Sequence, residues 1–202
     1  MLGLGRRENA AVRFTLAVLI AFVPSVVLGL ALHDFIKDVL FSPLVVAWSM
    51  IVGAGAIFVV EKFKPAPRVH TVEEFTPALA VKIGLAQCLA LIPGVSRSGA
   101  TIMGALALGI DRKTAAEFSF FLAIPTMMGA TALDLYKGFN GLSSSDFGVI
   151  AIGFVAAFVS ALLVIKWFIG FIAAHDFKPF AWYRLIAGVA MLVAIQMGWI
   201  GV

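Results

Sequence analysis

Long uncharged apolar runs alternate with short polar stretches along this chain. No Asp, Glu, Lys or Arg falls between Phe14 and Leu32, Val39 and Val60, Phe147 and Ile165, or Leu185 and Val202. Each run approaches the ~20 residues that a helix needs to cross a bilayer. The pattern predicts five spans, over Val12–Leu32, Leu44–Phe63, Thr114–Tyr136, Phe147–Phe171 and Pro179–Trp199. Pro24 is expected to kink the first, which packed neighbours tolerate. The period-two alternation of barrel strands is absent.

Two further apolar runs are too short to cross. Ile83–Ser96 has 14 uncharged residues and Ser98–Ile110 has 13. At ~1.5 Å per residue each covers roughly 20 Å, short of a ~30 Å hydrocarbon core. Between them lies PGVSRSG, Pro93 to Gly99. This predicts a re-entrant pair of half-helices over about residues 76–110, with the turn near mid-membrane. The alternative is one continuous helix with Arg97 paired internally. Pro93 and Gly94 break helices, and an intramembrane arginine demands a polar cavity, so the re-entrant reading is favoured.

Composition agrees. Of 202 residues, 62% are hydrophobic and 13% charged, and the mean hydropathy is +1.06. A soluble domain carries far more polar surface. The fold class is therefore an all-α integral membrane protein, a single transmembrane domain over residues 1–202. The net charge of +4 is no nucleic-acid signal, because the basic residues sit in short loops, as cytoplasmic loops do. Putting those loops on one side requires the segment between Lys82 and Asp111 to enter and leave on the same side. KPAPR, Lys64 to Arg68, reads as a proline-stiffened connector there. A lone cysteine, Cys88, excludes an intrachain disulfide. His33, His70 and His175 lack metal-binding spacing.

Short recurrences point to duplication. Ala21-Phe22-Val23 returns as Ala157-Phe158-Val159. Pro43, Ala47-Trp48 and Gly53 return as Pro179, Ala181-Trp182 and Gly188. Phe22 to Phe158 and Pro43 to Pro179 share one spacing, 136 residues. An inverted repeat is expected, residues 1–75 forming an incomplete first copy and 76–202 the second, with the site at the midplane. The same spacing places the counterpart of the polar turn about forty residues ahead of Met1. The chain is thus expected to lack its first re-entrant segment. The alternative is that Met1 is a true start and the recurrences are accidents.

The turn carries the candidate chemistry. Gly94 and Gly99 let the backbone bend and let a ligand come close. Ser96 and Ser98 can each cap the following half-helix. Its free N–H groups and dipole form an anion site. Arg97 adds a cation whose planar fork suits phosphate oxygens. Thr101 shares a helix face with Ser98. Ala100 and Gly104 have the small-xxx-small spacing of close helix contacts. Gln87 either faces the site or bonds neighbouring backbone. These residues point to oxyanion binding, phosphate above all; they supply no general base.

LAQCLALIPGVSRSGAT (Leu85–Thr101) and EFSFFLAIPTMMGATALDLYK (Glu117–Lys137) resemble the undecaprenyl pyrophosphate phosphatase family, the bacitracin-resistance type. The resemblance covers essentially the whole chain, and PGxSRSGxT is highly specific. It implies hydrolysis of undecaprenyl diphosphate, recycling the lipid carrier of cell-wall synthesis in the bacterial inner membrane. It also implies an inverted-repeat fold, often dimeric, and a divalent cation, Mg or Ca. Arg97, Ser96, Ser98 and Thr101 would be catalytic, and Gly94, Gly99 and Gln87 would bind substrate. The family's earlier motif, resembling E-x-x-x-E then P-x-S-S-x-x-H, is not in this sequence. The cation's ligands and the acid/base groups are therefore expected to be absent, and the chain is expected not to turn over unaided. Two other readings remain open, an anion or lipid-phosphate transporter and a noncatalytic lipid-phosphate-binding fragment.

Overall fold

The computed structural model describes residues 2–138 and 144–201, except the side chains of residues 2–9, 144–146 and 173. Helix α1 (Leu2–Ala31) runs unbroken through Pro24. A short α2 (His33–Phe35) continues as a π-helical turn, Ile36–Leu40. Then come α3 (Pro43–Phe63), α4 (Pro77–Cys88), α5 (Arg97–Ala107), α6 (Arg112–Gly138), α7 (Ser144–Ala174) and α8 (Lys178–Gln196). No strand occurs among the described residues; Val69 and Ile110 form one isolated bridge. Five helices are long and apolar enough to cross a membrane. Their apolar spans, Ala10–Ala31, Pro43–Phe63, Arg112–Gly138, Phe147–Ile172 and Lys178–Gln196, match the five expected spans to within three residues at either end.

The helix starts follow local chemistry. The Ser42 hydroxyl accepts from the Val45 N–H at 3.2 Å, and Pro43 occupies the first turn of α3. Thr76 and Pro77 repeat the device at α4, with the Leu79 N–H donating at 3.2 Å. In both, the hydroxyl satisfies an orphan donor, and proline stands where no intrahelical N–H is needed. As a result α4 begins at Pro77, ahead of the uncharged run that starts at Ile83, and takes Lys82 into the helix. Lys178 begins α8 beside Asp176, whose carboxylate accepts from its ammonium at 2.8 Å. That bond holds the Asp176 carboxyl below the usual aspartate range.

Residues 83 to 110 do not form one rod. Helix α4 passes into a single 3₁₀ turn, Leu89–Leu91, and the chain then bends at Gly94 before α5. With 12 and 11 residues, the arms rise roughly 18 and 17 Å.

Small residues set the packing. A Cβ at Gly104 of α5 would stand 2.6 Å from the Ala86 Cβ of α4, so the hairpin closes only because none is there. One at Gly188 of α8 would meet the Ala47 carbonyl oxygen of α3 at 2.9 Å, and one at Gly84 of α4 the Ala21 backbone of α1. These are the close backbone approaches that hold helices together in lipid, where apolar burial drives little. The most extensive pairings are accordingly α3 with α8 and α1 with α4. Helix α7 packs on α6, and none of its most apolar window is buried.

One end of the bundle is tied by charge. The Glu61 side chain, 2% exposed, accepts from both terminal nitrogens of Arg112 at 2.6 Å. It also accepts from Lys64 and from the Phe177 N–H at 2.8 Å. Glu61 therefore joins the ends of α3, α6 and α8. The connector after α3 is more than a spacer: the Arg68 and Val69 N–H groups donate to the Gly109 carbonyl at 2.7 and 3.2 Å, fastening it to the end of α5.

Candidate functional site

The polar turn is built around Gly94 and Ser96. Gly94 has φ +88°, the left-handed region that disfavours a side chain. A Cβ there would also stand 2.7 Å from the Val46 carbonyl oxygen of α3. After the turn, the Ser96 hydroxyl accepts from the Gly99 N–H at 3.1 Å and caps α5. Gly99 allows that cap to close, because its Cβ would lie 3.2 Å from the same hydroxyl. The Ser98 hydroxyl is 3.3 Å from that of Ser96. Two hydroxyls thus stand together beside the unpaired N–H groups and positive dipole end of α5.

These hydroxyls face a cavity. About 820 Å³ opens between α3, α5 and α8. Ser49, Ser96, Ser98, Tyr183 and Arg184 supply its hydroxyl and charged side chains. The remainder is mostly apolar, from Leu44 at one end of α3 to Val60 at the other, with Met103, Phe168 and Phe180. The wall of α5 includes Ala100 and Gly104, so one small-residue stripe both seats α4 and leaves the groove open.

The remaining sequence-predicted residues point elsewhere. Arg97 is the first residue of α5, and its Nη1 donates to the Ser119 carbonyl of α6 at 3.0 Å. It is half-buried and does not line the cavity. Thr101 is 1% exposed; its hydroxyl meets the Ser119 hydroxyl at 2.6 Å and also reaches the Arg97 and Ser98 carbonyls. Gln87, also buried, donates through Nε2 to the Ser25 hydroxyl of α1 at 2.7 Å. The structure therefore gathers Gly94, Ser96, Ser98 and Gly99 at the groove, holds Arg97 and Thr101 against α6, and turns Gln87 toward α1.

Sequence reasoning missed Arg184. Its Nη2 donates to the Ser49 and Gly94 carbonyls at 3.0 and 3.1 Å. Its Nε is buried without a partner among the described residues. A signal existed, since an arginine inside a predicted span marks a functional position by default. That rule singled out Arg97 and applies equally to Arg184.

A divalent cation does not fit this set. Hard cations take several carboxylate or carbonyl oxygens, whereas the turn presents hydroxyls, helix N–H groups and guanidinium. Among the described residues no three His, Cys, Asp or Glu side chains converge. Glu117 lies 3.9 Å from Lys113 on its own helix. Hydroxyls, helix N–H groups and guanidinium are donors suited to an anion instead.

Comparison with known proteins gives one family. The model described as "Bacitracin resistance protein BacA" matches residues 2–190. The chain is 53% identical over 191 residues to a protein named undecaprenyl-diphosphatase in Rhizorhabdus wittichii, covering 95% of this chain and 72% of that one. It is 54% identical over 184 residues to undecaprenyl-diphosphatase 2 of Paramagnetospirillum magneticum, covering 91% and 70%. A third relative so named, from Parvibaculum lavamentivorans, is 51% identical over 191 residues, covering 95% and 71%.

Proposed function

Because the chain belongs to the bacitracin resistance protein BacA family, we propose that it hydrolyses undecaprenyl diphosphate to undecaprenyl phosphate and inorganic phosphate. It is a multi-pass protein of the bacterial inner membrane, where this reaction returns the lipid carrier to cell-wall synthesis and confers bacitracin resistance. The observation that carries the reading is the meeting of the Ser96–Ser98 hydroxyl pair with a long apolar cavity at the N-terminus of α5. A substrate with a charged diphosphate head and an apolar tail requires that combination.

In this reading the α5 N-terminus and Ser98 receive the phosphate oxygens, while Ser96 keeps the cap. Arg97, fixed by Ser119, supplies lasting positive charge close by. Thr101 and Gln87 act on the frame, holding α5 to α6 and α4 to α1. Water attacks the terminal phosphorus in line with the leaving oxygen and loses its proton to solvent; where a serine attacks first, water then hydrolyses the phosphoserine, releasing inorganic phosphate and restoring the hydroxyl. The phosphoanhydride P–O bond breaks, and the lipid phosphate leaves with its electron pair. Positioning and charge stabilisation dominate such a transfer. The dimer implied by the resemblance belongs to the same proposal and is read from the particle mass in detergent.

The test is phosphate release from undecaprenyl diphosphate by the purified chain, alone and with a co-expressed segment carrying the E-x-x-x-E and P-x-S-S-x-x-H motifs that the resemblance implies, with Arg97→Ala beside it; the chain alone is expected to release little. Release that collapses in the variant supports hydrolysis. No release, with anion flux across liposomes, replaces it with transport. Neither, with retained lipid-phosphate binding, leaves a binding protein.

A further inference from the structure

We propose that Arg184 is a positioning residue for the phosphate turn, acting through the Gly94 carbonyl, and that Gly53 exists to admit it. This rests on the phosphatase reading above.

The guanidinium comes from α8, yet it reaches across α3 to the elbow ahead of α5. One nitrogen, Nη2, bridges the Ser49 carbonyl of α3 and the Gly94 carbonyl of the turn at 3.0 and 3.1 Å. Nothing else among the described residues hydrogen-bonds the Gly94 carbonyl. Gly94 precedes the Ser96 cap by two residues, and its backbone is in the left-handed region. The angle at which Ser96 and Ser98 meet the cavity therefore depends on that carbonyl staying where it is.

Gly53 leaves the space in which the guanidinium sits. A Cβ there would collide with Arg184 Nη2 and stand 3.1 and 3.2 Å from its Cζ and Nε. Gly55, two residues on, has nothing within 4 Å of its Cβ position, so the crowding is specific to the arginine's niche. The bond joins α3, α8 and the turn in one rigid unit. It also fixes a full positive charge on the cavity wall that carries both serines, where low dielectric strengthens its pull on an anion. A lysine would keep the charge and one ammonium but lose the planar fork.

The experiment uses the full chain in detergent, together with the same co-expressed segment, as wild type, Arg184→Gln, Arg184→Lys, Gly53→Ala and the Gly53→Ala/Arg184→Gln double variant. Two quantities are measured: kcat and KM for phosphate release, and the Kd of inorganic pyrophosphate by calorimetry. Arg184→Gln is expected to lower kcat at least about tenfold, with a smaller effect on KM, because misplacement of positioned groups falls on the transition state. It should also weaken pyrophosphate binding about threefold or more. Arg184→Lys should recover part of both. Gly53→Ala should resemble Arg184→Gln and add nothing to it in the double variant. Should Arg184→Gln fail to fold, Gly53→Ala and Arg184→Lys carry the same test, since both keep the charge and disturb only its placement. Wild-type kcat and pyrophosphate affinity in Arg184→Gln would overturn the assignment, as would multiplying effects of the two substitutions. A wild-type chain that releases no phosphate even with the co-expressed segment would sink the phosphatase reading alone; the pyrophosphate series would still decide the role of Arg184.

Discussion

The Thr101 hydroxyl lies 2.6 Å from the Ser119 hydroxyl, both side chains buried, where α5 crosses α6. The same Ser119 offers its carbonyl to Arg97, so one residue of α6 fixes both the arginine and the threonine of the turn. Interhelical hydrogen bonds of this kind contribute about 0.6 to 1.7 kcal/mol in membrane proteins. Thr101→Val and Ser119→Ala are each expected to destabilise the chain by about 1 kcal/mol. Their effects should fall short of additivity by roughly half to one and a half kcal/mol, measured as a double-mutant cycle of unfolding in detergent. Strict additivity would mean that the two hydroxyls do not interact.

Arg97→Ala should reduce phosphate release about a hundredfold or more, the scale of removing one preorganised charge from a transition state. Arg97→Lys should restore little, because a point ammonium cannot reproduce the planar fork that Ser119 holds beside the turn. Steady-state kinetics on folded, monodisperse variants decide this. A lysine variant with wild-type turnover would show that only net charge matters.

Gly94 and Gly55 form a matched pair. Alanine at Gly94 meets both a left-handed backbone and the Val46 carbonyl, and should cost about 2 kcal/mol or more while displacing the serine pair. Alanine at Gly55 meets open space and should stabilise α3 by up to about 1 kcal/mol. Thermal unfolding in one detergent compares them directly.

Glu61→Gln should be the most damaging substitution at the charged end of the bundle. The carboxylate is 2% exposed and satisfies Arg112, Lys64 and the Phe177 N–H together. Breaking a buried pair costs about 3–5 kcal/mol. Arg112 and Lys64 are about a quarter exposed, so water recovers part of this and about 2–3 kcal/mol is expected. Retained stability in the variant would show that the clamp contributes nothing.

The five spans were legible because lipid enforces a simple rule: about twenty apolar residues must satisfy their own backbone across the hydrocarbon. The break at PGVSRSG was legible for the same reason, since Pro93 and Gly94 cannot continue a helix, and the Ser96 cap follows from local geometry. Facing was not legible. Ser98 and Thr101 are three residues apart, yet Ser98 looks into the cavity while Thr101 is locked against α6. Periodicity says which residues share a helix face and leaves open what that face meets. Gln87 met α1, and the guanidinium that holds the turn came from α8, 90 residues beyond Gly94. Local composition therefore determined the helices and the polar turn between α4 and α5. Only tertiary packing, set by where Gly84, Gly104 and Gly188 let helices approach and where Gly53 leaves room for Arg184, decided which polar groups surround it.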